Sequence, residues 1–212
     1  SVENPRVTFD INVFGTLNLL EAAKKTSSQP RILFVGSADE YGRVKKKELP
    51  VKENNPLRPT NPYSVSKVSA NLLAYQYALS DQLHIIRVRP FNHTGPRQSP
   101  RFVCSDFARQ VVEAEAERRP PEIHVGNLRP KRDFTDVRDV VRAYRDILKG
   151  GKTCEVYNIC SGQSVSVGDL LKTLVSLSGH QMKIIRDSER TRPSDIPEVR
   201  GDYGKIRRAV GW

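Results

Sequence analysis

The chain has 212 residues, of which 37% are apolar and 28% are charged, and its formal net charge is +11 at pH 7. This length and composition suit a folded globular protein with a sizeable core and argue against disorder over most of the chain. No apolar run approaches the roughly 18–20 residues that span a bilayer, and the first ten residues lack the pattern of a secretion signal. The sequence therefore predicts a cytoplasmic protein with no membrane partner.

The basic residues and the cysteines give little support to a nucleic-acid or metal site. Lys and Arg are spread along the chain, the densest run being Lys45–Lys47, and no nucleic-acid-binding motif is present, so we expect no nucleic-acid partner. Cys104, Cys154 and Cys160 contain no Cys-x-x-Cys pair, and the four His show no metal-ligand spacing. We expect three buried, reduced thiols and no metal.

The first two predicted elements are a long helix and a buried strand. Apolar residues recur at mostly helical spacing from Asn4 to Lys25, interrupted by Gly15. The short apolar run "RILFVGS" follows Pro30 and precedes a turn-like segment, which predicts a buried strand that ends at Ser37.

A second helix and a second strand follow a polar, proline-rich loop. Asn61 can cap this helix, and Pro62 suits its first position. The run "LHIIRVRPFN" predicts a buried strand that is interrupted at Pro90 and finishes near Asn92. The order strand, helix, strand favours a parallel α/β sheet.

Beyond Pro96 the alternation is less regular and predicts a smaller α/β lobe beside the sheet. The predicted helices cover residues 102–117, 136–151 and 166–179, and the predicted strands cover residues 155–161 and 182–187.

Several polar groups are expected to meet at one edge of the sheet. Ser37 and Asn92 each end a predicted strand, at the edge where open parallel sheets bind ligands, and Tyr63 lies in the first turn of the helix between them. Lys67 follows Tyr63 by four residues and so shares its helix face. The ammonium and the helix start would both lower the phenol's pKa, which suits a general acid or base for a carbonyl and alcohol pair.

Each of these residues also has an ordinary structural interpretation when taken singly. Ser37 could be a turn residue, Asn92 could cap a turn, and Arg132 could pair with Asp133 or Asp136 on the surface. The case for a site therefore depends on the ordered set of residues on matching elements.

A series of motifs in chain order strengthens that case. They are "NVFGTLNLLEA", "GSADEYG", "NPYSVSK", "RPFNHTGP", "FVCSDFARQ", "VGNLRPKRDFTDVRDVVRAY", "VYNICSG" and "RPSDIPEVRGD". Across essentially its whole length, the chain resembles an extended short-chain dehydrogenase/reductase that acts on nucleotide sugars. Within that superfamily it is most similar to the GDP-6-deoxy-4-keto-mannose reductases, which form GDP-D-rhamnose, and next to the GDP-mannose 4,6-dehydratases.

The resemblance implies a fold and a cofactor. The fold would be a Rossmann-type doubly wound parallel sheet with a smaller α/β substrate-binding lobe, and the cofactor would be NADP or NAD. Residues 1–96 would form the carboxyl-terminal part of the dinucleotide-binding domain. Residues 97–212 would form mainly the substrate lobe, with the strand near 155–161 returning to the main sheet.

The resemblance also implies roles for single residues. Tyr63 would protonate the C4 oxygen of a GDP-6-deoxy-4-keto-hexose, Ser37 would orient that ketone, and Lys67 would also bind the nicotinamide ribose. Pro90 and Asn12 match further cofactor-side positions, Asn12 by supporting the catalytic lysine, commonly through water. The substrate-side positions are Asn92, Val103, Arg132, Arg192 and Asp195, of which the arginines suit phosphate and diol oxygens.

A reductase and a dehydratase differ at a short stretch of this pattern. The dehydratases use a catalytic glutamate where this chain has Asp39, followed by Glu40, so Asp39 is a further catalytic candidate. The segments "FNHTGP" and "RPSDIP" favour the reductase, whereas Arg97, where reductases commonly have glycine, favours the dehydratase. A third reading, a non-catalytic nucleotide- or RNA-binding remnant that uses the basic surface, stays open.

The resemblance further implies a glycine-rich turn that this chain does not contain. The family begins with a strand, a Gly-x-x-Gly-x-x-Gly turn and a helix that holds the pyrophosphate, and none of the 13 glycines forms such a cluster. We therefore expect a fragment without the first βαβ units, inactive by itself and weak in cofactor binding. A homodimer through the helices near 4–25 and 62–80 is implied as well.

Overall fold

The computed structural model describes residues 2–190 and 196–212. The α-helices are α1 (Pro5–Phe9), α2 (Gly15–Lys24), α3 (Pro62–Ser80), α4 (Val103–Glu115), α5 (Val137–Gly150), α6 (Val167–Ser178) and α7 (Gly204–Val210). The strands are β1 (Ile32–Val35), β2 (Ile85–Pro90), β3 (Asn92–Thr94), β4 (Glu122–Val125), β5 (Lys131–Arg132), β6 (Phe134–Asp136), β7 (Val156–Ile159), β8 (Val165–Ser166), β9 (Lys183–Arg186) and β10 (Glu198–Val199).

The first helix is continuous but changes its winding in the middle. Helices α1 and α2 are joined by a π-helical segment, Asp10–Phe14, in which the Gly15 N–H bonds the Asp10 carbonyl five residues back. The long helix predicted from Asn4 to Lys25 is confirmed. Its wide turn was not predicted, because the apolar spacing of a π segment differs little from that of an α-helix over one turn.

Three parallel strands form the main sheet, in the order β1, β2, β7. Strand β2 is central and buried along its whole length, as predicted, although Arg87 and Arg89 interrupt its apolar residues. The interruption expected at Pro90 falls one residue later, at Phe91, which separates β2 from β3. Pro90 is the last residue of β2 and stays in register with Ile159, since the missing N–H falls at the end of the ladder.

Helices cover both faces of this sheet. On one face, α2 and α3 pack on Ile85 through Leu20, Ala74 and Tyr77. On the other face, α5 and α7 pack on Ile86, whose side chain points the opposite way because successive strand residues alternate. The predicted Rossmann-type α/β architecture is confirmed.

A second core lies among α4, α6 and the parallel pair β4–β9. Its buried members are Phe107, Val111, Ile123, Val125, Val167 and Leu171. Short strands β3 and β6 pair with each other, and β5 lies between β10 and β8. These strands of two or three residues and α7 were not predicted, because such short segments carry no periodicity. A domain boundary after residue 96 stays a prediction.

The cysteines are free thiols, but they are not equally buried. Cys160 is fully buried, whereas Cys104 and Cys154 are partly exposed, so the expectation of three buried thiols is wrong for two of them. Within residues 2–190 and 196–212, no helix is long and apolar enough to cross a membrane.

An ion pair fixes the proline-rich loop before α3 and gives it an acid-sensitive contact. Both carboxylate oxygens of Glu48 accept from the Arg58 guanidinium at 2.8 Å. Hydrogen bonds from that guanidinium, followed by one from the Lys45 N–H, lower the pKa of Glu48 to about 2.

We expect Glu48→Gln to destabilise the fold at pH 7 but not near pH 2. A carboxyl with a lowered folded-state pKa stabilises the fold above its unfolded pKa, and this contribution is lost as the pH falls through the folded value. Urea unfolding at both pH values measures it. An equal loss of stability at both would contradict the role of this ion pair.

Candidate active site

Helix α3 begins as its sequence predicts and thereby places Tyr63 and Lys67. The Asn61 side chain accepts the Ser64 N–H at 2.9 Å, and Pro62 occupies the first helical position. Tyr63 therefore lies in the first turn and Lys67 one turn later, both half-buried.

Ser37 lies beside Tyr63, although not at the end of a strand. Strand β1 ends at Val35, and Ser37 caps a short 3₁₀ helix, Ala38–Tyr41, its hydroxyl accepting the Asp39 N–H at 3.1 Å. A hydrogen bond also joins the Ser37 hydroxyl to the Tyr63 phenol. The structure thus brings together the two oxygens that the sequence analysis placed at one carbonyl group.

The electrostatics of Tyr63 differ from the sequence prediction. Burial raises the pKa of Tyr63 above its usual value of 10, the carboxylates of Asp39 and Glu40 add to this rise, and the bond to Ser37 opposes it. The predicted lowering is therefore wrong in direction, since burial is the largest influence on the pKa of Tyr63. The phenol is therefore protonated at neutral pH, which is the form that donates a proton.

Lys67 points to the end of β1. Its Nζ donates to the Val35 carbonyl at 3.0 Å and lies 6.0 Å from the centre of the Phe34 ring. Burial lowers the pKa of Lys67, and the charge of Glu40 partly opposes this shift. An ammonium has three donors, so Lys67 can hold a ligand hydroxyl while it keeps the carbonyl contact.

A buried carboxylate, Glu40, adjoins these residues and was not predicted as part of the site. It is fully buried, whereas the preceding Asp39 is exposed. Its Oε2 accepts from Arg89 Nε and from Asn71 Nδ2, both at 2.8 Å. The only signal in the sequence was its place directly after the catalytic candidate Asp39.

Asn12 lies in the π-helical segment and reaches the catalytic helix through Ser66. Its Nδ2 donates to the Ser66 hydroxyl at 2.9 Å, and that hydroxyl donates to the Tyr63 carbonyl at 2.7 Å. Asn12 thus braces the first turn of α3, and its support of Lys67 stays a prediction.

Comparison with known proteins identifies the family. The family model described as GDP-mannose 4,6 dehydratase matches residues 1–212. The chain belongs to the GDP-mannose 4,6 dehydratase family. This family falls within the extended short-chain dehydrogenases/reductases, as the motifs predicted.

Similar proteins include enzymes of several activities. The chain is 36% identical over 209 residues to the GDP-6-deoxy-D-mannose reductase of Pseudomonas aeruginosa, covering 99% of this chain and 69% of that one. It is 25% identical to the GDP-mannose 4,6-dehydratase of Yersinia enterocolitica, covering 100% of this chain and 64% of that one. The solved structure of RMD from Pseudomonas aeruginosa in complex with NADPH superposes with a TM-score of 0.95 at 36% identity, covering 100% of this chain and 70% of that one.

Three of the five substrate-side candidates, Asn92, Val103 and Arg132, lie in the described part of the chain. Asn92 is exposed and begins β3 in register with Phe134, directly after the buried end of β2. Val103 is the first residue of α4 and packs against the second core. Arg192 and Asp195 lie outside the described residues.

Arg132 turns towards the carboxyl-terminal segment. Its Nη1 donates to the Ile196 carbonyl at 2.7 Å and to the Lys131 carbonyl at 2.9 Å. The carboxylates weighed as its ordinary partners are engaged elsewhere: Asp133 accepts backbone N–H groups, and Asp136 pairs with Arg138 at 2.6 Å. This placement leaves the role of Arg132 in substrate binding a prediction.

A nicotinamide riboside fits the donors at the end of the main sheet. Lys67 presents its ammonium at the end of β1, which pairs with β2, the strand that ends at Pro90, and Tyr63 lies one turn earlier on α3. Hydroxyl and ammonium donors suit ribose oxygens, and the flat apolar surface of a proline suits one face of the nicotinamide ring. Of the predicted cofactor contacts, Lys67 and Pro90 thus lie at the ends of neighbouring strands, Asn12 contacts α3 through Ser66, and the contact of each with a cofactor stays a prediction.

Proposed function

We propose that the natural protein containing this chain reduces the 4-keto group of a GDP-6-deoxy-4-keto-hexose with NADPH or NADH, giving a sugar of the GDP-D-rhamnose type. The observation that carries this proposal is the hydrogen bond between Ser37 and a Tyr63 phenol that burial keeps protonated. A reduction needs a proton donor at the carbonyl oxygen, and a neutral phenol supplies one. The likeness to a GDP-6-deoxy-D-mannose reductase supports the substrate class.

Each residue has a separate task in this reaction. Tyr63 delivers its phenolic proton to the C4 oxygen, and the Ser37 hydroxyl holds the same oxygen in place. Lys67 holds the nicotinamide ribose and offsets the negative charge that Tyr63 acquires when its proton leaves. When bound, the nicotinamide supplies the hydride for C4. Arg132 and Arg192 take the diphosphate and nucleoside portion of the substrate, for which planar guanidinium groups are suited.

A dehydratase activity is the second candidate, and Asp39 supports it. Its carboxylate contributes to the raised pKa of Tyr63, so it lies close to the same centre. A dehydratase needs a base that removes the C5 proton, and an exposed carboxylate beside the phenol could act in that way. Asp39 is one methylene shorter than the glutamate of the dehydratase pattern, which reduces its reach.

One assay separates these activities. The natural protein is incubated with GDP-6-deoxy-4-keto-mannose and NADPH or NADH, and the absorbance of the reduced nicotinamide is followed. A reductase consumes the reduced cofactor in proportion to the keto sugar. In a parallel incubation with GDP-mannose and the oxidised cofactor, conversion of that sugar without net change in the cofactor would instead support the dehydratase. Salt-sensitive RNA binding without sugar-nucleotide binding would support the non-catalytic remnant.

We also infer a homodimer through the first helix and α3. Both carry large apolar side chains that are exposed in the single chain: Ile11 is 67% exposed, Phe14 53%, Leu72 55% and Leu79 56%. The two helices pack against each other, so these exposed side chains lie on neighbouring helices. Apolar surfaces of this kind are typical of protein interfaces.

Leu72→Glu is expected to weaken this dimer by roughly 100-fold, because a carboxylate would be buried against apolar side chains of the partner. Sedimentation equilibrium of the natural protein measures it. The matched control is Leu177→Glu on α6, a side chain that is 78% exposed away from this surface. A shift of the Leu177 variant to monomer, or an unchanged Leu72 variant, would place the interface elsewhere.

We also propose that the protein is cytoplasmic. The free state of the cysteines supports it, since extracellular proteins usually pair theirs. Fractionation of cells with an antibody to the protein tests it, and recovery from the secreted or membrane fraction would refute it.

A further inference from the structure

The Glu40 carboxylate lies where three elements of the active site meet. It is 0% exposed. Its Oε1 accepts the Ser37 N–H at 2.9 Å, while its Oε2 accepts from Asn71 Nδ2 on α3 and from Arg89 Nε on β2, each at 2.8 Å. One carboxylate therefore links the serine turn, the helix of Tyr63 and Lys67, and the central strand.

The partners of Glu40 are themselves held in place. Arg89 is 4% exposed, its Nη1 lies 3.2 Å from both the Tyr41 hydroxyl and the Glu53 carbonyl, and its guanidinium stacks 5.0 Å from the centre of the Tyr41 ring. Asn71 is 1% exposed and accepts from Arg87 Nη1 at 2.8 Å. Among the described residues, Arg87 Nε is the buried atom of this network that has no hydrogen-bond partner. The bonded groups hold the network rigid, because each would lose its partner on moving.

The absence of a side chain at Gly36 leaves room for the Glu40 carboxylate. A Cβ added at Gly36 would lie 2.2 Å from Glu40 Oε1 and 3.0 Å from the Val88 carbonyl. Only glycine therefore allows the carboxylate to approach the end of β1. A buried ion pair is a costly way to fill such a space, because apolar residues of similar volume often stabilise a core equally well.

The network contacts Ser37 and α3 at groups other than the reacting hydroxyl, phenol and ammonium. Ser37 is fixed through its backbone N–H, and its hydroxyl bonds the Tyr63 phenol. Asn71 follows Lys67 by four residues on the same face of α3. The bond from Asn71 to Glu40 therefore fixes the distance between that helix face and the turn that carries Glu40. The charge of Glu40 also favours the ammonium form of Lys67.

We propose that Glu40 is a positioning residue, which sets the distance between the Ser37 turn and the Tyr63–Lys67 face of α3 without touching the substrate. This inference rests on the proposed reduction. The reacting oxygen must meet both the Ser37 hydroxyl and the Tyr63 phenol, and a misplacement near 1 Å costs about 100-fold in rate.

Paired substitutions test this role without leaving an unpaired guanidinium in the core. Glu40→Leu with Arg89→Met fills the space with apolar atoms but removes the acceptor for Ser37. Glu40→Gln with Arg89→Met also removes both charges but keeps an amide oxygen for the Ser37 N–H. In the natural protein we expect the leucine pair to lower kcat by roughly 10- to 100-fold with little change in KM, and the glutamine pair to restore kcat to within about 3-fold of wild type.

A control and a second readout separate positioning from folding and from the proposed reaction. Glu48→Gln removes an ion-paired carboxylate outside the site and is expected to leave kcat unchanged. Hydrogen exchange, measured by mass spectrometry on peptides that cover residues 36–42, needs no substrate. It is expected to be faster in the leucine pair than in the glutamine pair, while peptides from β2 stay protected.

The outcomes are distinguishable. If the wild-type protein does not reduce the keto sugar, the proposed function fails, and hydrogen exchange still decides whether Glu40 fixes the serine turn. Wild-type kcat in the leucine pair, or equal losses of kcat in both pairs, would overturn the positioning role. Unchanged exchange at residues 36–42 in the leucine pair would overturn it as well.

Discussion

Tyr63→Phe is expected to lower kcat for keto-sugar reduction by roughly 10²- to 10⁴-fold, the usual contribution of a positioned proton donor. The substitution removes one hydroxyl from a half-buried ring and leaves the helix cap at Asn61 intact, so the fold should survive. The measurement is steady-state reduction by the natural protein, accompanied by a thermal melt. A variant that keeps more than about a tenth of wild-type kcat would show that the proton comes from another group.

Tyr75→Phe is the matched control on the same helix. The Tyr75 ring is 38% exposed and lies 4.5 Å from the Arg87 guanidinium, and phenylalanine keeps that stacking. We expect its kcat to equal that of the wild type. If both variants were equally impaired, the loss would reflect the helix and not the proton of Tyr63.

The pKa of Tyr63 also fixes the direction of the pH dependence. Burial raises it above 10, so the proton-bearing form is complete at neutral pH and is lost only as the pH rises through the folded value. Ionisation of Tyr63 should therefore cause no fall in kcat between pH 7 and pH 9 (roughly one unit below its ordinary pKa). The Lys67→Met variant removes Lys67 as a titrating group. A fall in kcat between pH 7 and pH 9 that persists in this variant would contradict the prediction for Tyr63.

The main sheet was predictable because burial dictates its composition. Strand β2 is buried along its whole length, and its short β-branched run of Ile85, Ile86 and Val88, although interrupted by two arginines, favours a strand. The start of helix α3 was predictable from Asn61 and Pro62, since a capping residue followed by a proline marks the beginning of a helix. The pairs β3–β6 and β5–β10 were not predictable, because strands this short are set by tertiary contacts and not by their own pattern.

The sequence predicted which residues form the site better than it predicted their pKa values. The spacing of Tyr63 and Lys67 placed them on one face, but the pKa of each depends on burial, which no spacing reveals. Asp39 and Glu40 are neighbours in the chain and chemically alike, yet one is exposed and the other fully buried. Arg89 and Asn71, which decide this difference, are distant in the sequence from both carboxylates.

Asp133 holds the end of β7 to the carboxyl-terminal segment. Its side chain is fully buried and accepts from the Ser161 N–H at 2.7 Å, the Ser161 hydroxyl at 2.6 Å, the Gly162 N–H at 3.0 Å and the Gly201 N–H at 3.2 Å. The chain passes so close here that a Cβ at Gly201 would lie 2.5 Å from Cys160 Sγ. Water has little room to replace a lost acceptor.

Asp133→Ala is therefore expected to cost about 3–5 kcal/mol of unfolding free energy, because several buried donors lose a charged acceptor at once. In a chain of this size that corresponds to a fall in Tm of roughly 10 °C. Asp133→Asn should cost about 2 kcal/mol, since one oxygen still accepts while the amide group faces backbone donors. Urea unfolding measures both, with Asp146→Asn on α5 as a control whose carboxylate pairs with the neighbouring exposed Arg145 at 2.9 Å. A loss below about 1 kcal/mol for Asp133→Ala would mean that the donors find other acceptors, and that this junction moves more freely than its packing indicates.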